Sequence, residues 1–173
     1  MIIAQSTRLT IRHFAPEEEG VFIEILSDKR LTDYLPKRTP DDNRIIFSDT
    51  LKDYQNGNRF TRWAIFNNAD DEFIGFAMLK ATEGEPEKAE MGYVIHHKFK
   101  GQGIATEVAE ALLNYGFNEQ HLSQIFAVTD QANIASQRVL LKAGFKQGDN
   151  ILRNDAWLSY FSIKGEDWLS TKS

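Results

Sequence analysis

The stretch Tyr93 to Phe117, YVIHHKFKGQGIATEVAEALLNYGF, restricts the fold more than any other part of the chain. An apolar run suited to a strand ends near Ile95, a basic turn carries Gly101 and Gly103, and an amphipathic helix follows. In that helix Ile104, Val108, Leu112 and Tyr115 recur on one face, joined by Ala105, Ala109 and Leu113. The first N–H groups of a helix have no intrahelical partners. Glycines just before them leave the backbone unshielded, so the turn reads as a nest of donors at the positive end of a helix dipole. Such a nest suits a diphosphate, and Lys98 and Lys100 add charge beside it. A P-loop needs G-x-x-x-x-G-K-[ST], which the chain lacks. A dinucleotide fingerprint needs glycine or alanine where Thr106 stands, and its first glycine directly after an early strand.

The flanking pattern alternates short strands and helices. Arg8 to Phe14 reads as a first strand, and Pro16 with Glu17, Glu18 and Glu19 opens a helix that runs to about Leu26. A second helix is expected over Asp41 to Tyr54. Arg62 to Phe66 and Glu72 to Lys80 flank a polar turn as a hairpin would, and Glu83 to Glu87 reads as the next turn before a strand from Lys88 to Ile95. After the glycine-headed helix come a strand over Gln124 to Val128, a helix from about Asn133 to Ala143 stopped by Gly144, and strands near Lys146 to Leu152 and Trp157 to Ile163. This order predicts a mixed α/β layer fold in one domain spanning residues 1–173, not a doubly wound array.

Composition narrows the function classes. The chain has no cysteine, which excludes disulfides, a thiol nucleophile and thiolate metal sites. Its formal charge of −5, from 25 acidic and 20 basic residues, argues against general nucleic-acid binding. No apolar run approaches the roughly 18 residues a membrane span requires. The opening MIIAQSTRLTIR lacks a small-residue cleavage pattern, so neither a signal peptide nor a membrane partner is expected, and the location is expected to be cytoplasmic.

Lys100-Gly101-Gln102-Gly103-Ile104-Ala105 resembles the acyl-CoA signature Q/R-x-x-G-x-G/A of the GCN5-related N-acetyltransferases (GNAT), with Lys100 in place of Gln or Arg. Five further landmarks are similar to the RimJ/RimL-like branch, the ribosomal-protein N-terminal acetyltransferases. They are Thr7 to Arg12, Glu90 to Tyr93, Gly103 to Glu107, Asn133-Ile134-Ala135-Ser136 with Lys142-Ala143-Gly144-Phe145, and Gly165 to Trp168. The resemblance implies a central, mostly antiparallel twisted sheet of about seven strands with four helices, splayed between the fourth and fifth strands. It also implies acetyl-CoA as cosubstrate, no metal, and direct transfer of the acetyl group to a primary amine, either a protein N-terminus or a small molecule. Terminal strands of this kind often serve homodimers in the family. Two other classes stay open: a CoA-binding regulatory protein that has lost the chemistry, and a dinucleotide-dependent enzyme.

By the same resemblance, backbone amides from Lys100 to Ala105 hold the CoA pyrophosphate, the strand edge near Ile95 pairs with the pantetheine arm, and Asn133 bonds that arm. Many relatives protonate the departing thiolate with a tyrosine, but that position is Leu140 here, and the branch points instead to Ser136. Asn133 and Ser136 could equally cap a helix. Glu90 is the candidate general base acting through water, because a carboxylate on a central strand needs a task or a partner; the alternative is a hydrogen-bonded structural glutamate. Glu107 is a second acid, in a first helical turn where the dipole favours acids anyway. His96 and His97 are expected on opposite faces of a strand, flanking the phosphate loop or in contact with solvent.

Overall fold

The computed structural model describes residues 1–172, with nine strands and six α-helices. The chain divides into two compact units, one of Met1–Met78 with Tyr93–Ile104, the other of Leu79–Gly92 with the chain from Ala105 on.

In the first unit β1 (Ile2–Gln5), β2 (Leu9–Arg12), β3 (Arg62–Asn67) and the start of β4 (Phe73–Thr82) lie side by side, each antiparallel to the next. The end of β5 (Glu85–Ile95) completes this order. A 3₁₀ turn at Pro16–Glu18 leads into α1 (Glu19–Ser27), followed by α2 (Lys29–Thr32) and α3 (Pro40–Gln55). Helix α3 begins where the sequence chemistry dictates. Thr39 accepts from the Asp42 N–H at 3.1 Å, Asp42 accepts from the Thr39 N–H at 2.8 Å, and Pro40 occupies the first turn. Phe14, Phe22, Phe47, Phe66 and Phe76 form the core of this unit, with edge-to-face contacts such as Phe14 on Phe47 at 5.3 Å.

Tyr54 ties α3 to the sheet. Its ring stacks on His13 with centroids 3.7 Å apart, while its hydroxyl accepts from the Phe14 N–H and donates to the Arg62 carbonyl. Burial holds this phenol protonated well above its usual range. Tyr54→Phe leaves two backbone groups without a partner, so thermal or urea unfolding is expected to show a loss of about 1–3 kcal/mol.

In the second unit β6 (Gln124–Asp130) runs parallel to β5, and β9 (Ala156–Lys164) runs antiparallel to β6. The short strands β7 (Lys146–Gln147) and β8 (Ile151–Arg153) both pair with β9. Helix α4 (Ile104–Asn114) continues into a π turn at Tyr115–Glu119, and α5 (Ile134–Lys142) and α6 (Gly165–Thr171) complete the set. Val108, Leu112, Ile125, Phe161 and Ile163 are buried here. Helix α5 stops as expected at Gly144: the Phe145 N–H reaches the Leu140 carbonyl at 3.0 Å and the Gly144 N–H reaches Leu141 at 3.1 Å.

The sheet is mixed and mostly antiparallel, as expected, but it has more pieces than the sequence pattern counts. β1 forms because Ile2 to Gln5 fold back on β2, and the last strands divide into β7 and β8 along one edge of β9. The turn expected over Glu83 to Glu87 is shorter, since β5 already begins at Glu85. Pro86 is tolerated there because the ladder to β6 starts only at Lys88, so its missing N–H falls outside that ladder.

Candidate active site

The basic turn adopts the geometry its glycines suggest. Gly101 and Gly103 have φ of 75° and 78°, the left-handed region that side chains disfavour. Among the described residues, the N–H groups of Gly101, Gln102 and Gly103 donate to no other group. Ile104 is buried and anchors the first turn of α4, while Lys100, Gly101, Gln102 and Gly103 are exposed. The Gln102 side chain braces the loop by donating to the Lys98 carbonyl at 3.1 Å.

The charge beside this loop is not arranged as the sequence implies. Lys98 is engaged by Glu72, with both carboxylate oxygens within 2.9 Å of its ammonium. Arg8 also reaches this loop: it donates to the Gln102 carbonyl at 2.9 Å, and its Nη2 lies 3.5 Å from where a Cβ on Gly103 would stand. Arg8 lies 94 residues from Gln102 in sequence, so only its place in the Thr7 to Arg12 landmark could have drawn attention to it.

His96 and His97 do not sit on opposite strand faces. His96 precedes a 3₁₀ turn over His97–Phe99, which brings the two rings to a centroid distance of 4.3 Å. His97 Nδ1 lies 3.3 Å from Asp28 Oδ2, and ligand-type atoms of Asp28, His96 and His97 all lie within 4.8 Å of one another. Arg30 grips the same Asp28 carboxylate at 2.8 and 3.0 Å and holds it well below the usual carboxylate range. The His96 Nδ1 also accepts from the Lys98 N–H at 3.3 Å. A guanidinium on the carboxylate and an occupied imidazole nitrogen make this a poor cation site.

Ile95 is buried at the end of β5, and its neighbour His96 donates its N–H to Ile74 at 2.8 Å. The ladder between β5 and β6 pairs Lys88 to Glu90 with Gln124 to Phe126.

Glu90 is the last rung of that ladder. Its side chain is only 12% exposed, and Arg153 donates to both carboxylate oxygens, at 2.8 and 3.2 Å. The arginine is the feature that sequence reasoning missed. It ends β8, which is joined to β9 by a two-residue turn with Asn154 and Asp155 both at positive φ, 50° and 62°. Asn and Asp in such a turn are a readable hairpin signal, but nothing in the sequence links that hairpin to Glu90. Each carboxylate oxygen keeps a second lone pair for a water.

On α5 the Asn133 Oδ1 accepts from the Ser136 N–H at 3.2 Å, which makes Asn133 the helix cap. Its Nδ2 donates to no described residue. Both Asn133 and Ser136 are half-buried, whereas Leu140, at the position of the expected tyrosine, is packed in the core. Glu107 sits in the first turn of α4. Among the described residues no helix is long and apolar enough to cross a membrane.

Residues 8–146 match the acetyltransferase (GNAT) domain, and the chain belongs to this family of acetyl-CoA-using acetyltransferases. It is 28% identical over 170 residues to the uncharacterized N-acetyltransferase YnaD of Bacillus subtilis (strain 168), covering 93% of this chain and 96% of that one. The fold is similar to a GNAT-family acetyltransferase from Bacillus anthracis, with a TM-score of 0.82, 26% identity and coverage of 96% and 99% of the two chains. It is also similar to RimL, a ribosomal L7/L12 alpha-N-protein acetyltransferase solved in complex with coenzyme A, with a TM-score of 0.80 and coverage of 95% and 98%. At 18% identity that second likeness concerns the fold alone.

Proposed function

We propose that the protein moves the acetyl group of acetyl-CoA directly to a primary amine, on a protein N-terminus or a small molecule. The observation that carries this reading is the loop at Gly101 to Gly103, whose three N–H groups have no partner among the described residues. Donors aimed outward at a helix head fit a pyrophosphate. In this reading Lys100, Gly101, Gln102, Gly103, Ile104 and Ala105 form the pyrophosphate cradle. The β5 edge near Ile95 pairs with the pantetheine arm, and the Asn133 Nδ2 bonds that arm while its Oδ1 caps α5.

The chemistry needs three things from the chain: a base for the amine proton, donors for the developing oxyanion, and an acid for the thiolate. Glu90, which pairs with Arg153 in the resting chain, takes the ammonium proton through water. The free amine then attacks the thioester carbonyl carbon, forming a C–N bond while backbone amides of β5 bond the oxygen. The C–S bond breaks, Ser136 gives its hydroxyl proton to the departing sulfur, and the second proton, shed by the nitrogen as the amide forms, passes through water to restore the serine hydroxyl. Burial of Leu140 in the core favours one second reading, a CoA-binding protein without turnover, because the tyrosine used by many relatives is missing there.

Calorimetry with acetyl-CoA tests the first reading, with NAD and ATP as controls. Gly103→Glu puts a side chain and a negative charge into a left-handed position beside the nest. Binding is expected to weaken at least about tenfold in a variant whose circular dichroism is unchanged. Failure of the folded wild type to bind acetyl-CoA would overturn both readings; binding without acetylation in an amine screen would leave only the second.

A further inference from the structure

The sheet face that carries Glu90 is set by its registers. Glu90 lies opposite Phe126, Phe126 opposite Ser162, and β9 presents Tyr160 on the same side. Arg153 lies opposite Ala156, which puts its side chain on this face as well. Phe126 stacks on Tyr160 with centroids 5.5 Å apart, so π surface adjoins the carboxylate. Other charged groups that the registers place on this face are Lys88, which pairs with Glu85 at 3.5 Å and lies 5.2 Å over the Phe126 ring, Asp130, which accepts from the Ala132 N–H, Lys146, which lies 4.0 Å from Asp167, and the exposed Lys164.

A carboxylate that is 12% exposed needs a cation. Among the described residues, Arg153 is the one cation within ion-pair distance of it. Carboxylate and aromatic face together make a seat for an organic cation. Its present occupant comes from a short hairpin strand, and the arginine side chain is 39% exposed, three times the exposure of the glutamate. The arginine can therefore move out to water while the carboxylate cannot.

We propose that Arg153 is a tethered occupant of an acceptor-binding seat: the Glu90 carboxylate recognises a cationic primary amine, which displaces the guanidinium, and the β8–β9 hairpin thereby selects acceptors. This deepens the reading of Glu90 as the group facing the reacting amine and rests on it. The seat favours an unhindered ammonium, because that ion must make the charge-assisted bonds the guanidinium gives up. An amine flanked by its own carboxylate is disfavoured, since it would bring a second anion to Glu90.

The test is a binding titration without turnover. Methylguanidinium and ethylammonium chloride are titrated into the ¹⁵N-labelled full chain at constant ionic strength, as wild type, Arg153→Ala and Arg153→Ala/Glu90→Gln. The expected result is saturable shifts at the amides of Glu90, Phe126 and Tyr160 in Arg153→Ala, with a dissociation constant at least about tenfold below wild type. The double variant is expected to lose them. Equal binding by wild type and Arg153→Ala, or undiminished binding by the double variant, would overturn the proposal. Arg153→Gln serves the same comparison should the alanine variant not fold; if neither folds, the pair is a structural clamp and the proposal fails. The base reading fails separately, when Glu90→Gln acetylates amines at the wild-type rate.

Discussion

Gly75→Ala is expected to lower the unfolding free energy by about 3 kcal/mol or more, or to prevent folding altogether, as read by urea denaturation and soluble yield. A Cβ built on Gly75 in β4 would stand 2.0 Å from the Val94 carbonyl oxygen and 3.0 Å from its carbon. Both are backbone atoms of β5, so no rotamer change relieves the contact. The strand would have to move, and with it the neighbouring bond from the His96 N–H to Ile74 at 2.8 Å. Gly84, at the tip of the same hairpin, is the control: a Cβ there meets nothing within 4 Å, and its cost is the smaller one of a left-handed turn position. Equal losses at the two glycines would show that backbone freedom, and not the closeness of β4 to β5, requires glycine at Gly75.

The second large effect is on turnover. Glu90→Gln is expected to reduce kcat about 10²- to 10⁴-fold with an amine acceptor found in the screen, while acetyl-CoA affinity stays within twofold. Glutamine keeps the size and one hydrogen bond to Arg153 but cannot accept a proton from the amine. A fall in kcat without a change in cosubstrate binding is the pattern of a lost proton acceptor. A melting curve on the same sample separates this from unfolding, because the change also leaves the Arg153 guanidinium without its anion. Retention of wild-type kcat would remove the base role and leave Glu90 as half of a structural ion pair.

Much of the architecture was legible because its causes are local. Thr39, Pro40 and Asp42 sit side by side in the chain, so the start of α3 could be read to within a residue. The end of α5 depends on a single glycine two residues past the helix. Gly101 and Gly103 likewise adopt their turn for reasons contained in a few residues. The places that misled were governed by distant partners. Lys98 is engaged by Glu72, 26 residues away, and a further cation, Arg8, reaches the loop from far along the chain. His96 and His97 were expected on a strand, but the chain turns at the end of β5 and brings their rings together.

The sequence by itself determined the order of strands and helices, the glycine nest at the head of α4, the caps of α3 and α5, and the family to which the chain belongs. Each is written in near neighbours, where backbone hydrogen bonding and side-chain periodicity leave few alternatives. Only the tertiary structure decided what Glu90 faces. Glu90 and Arg153 stand 63 residues apart, and their pairing depends on β8 returning along β9, β9 on β6, and β6 on β5. A contact that needs three registers in succession is fixed by packing of the whole sheet, since no local preference of either residue encodes it.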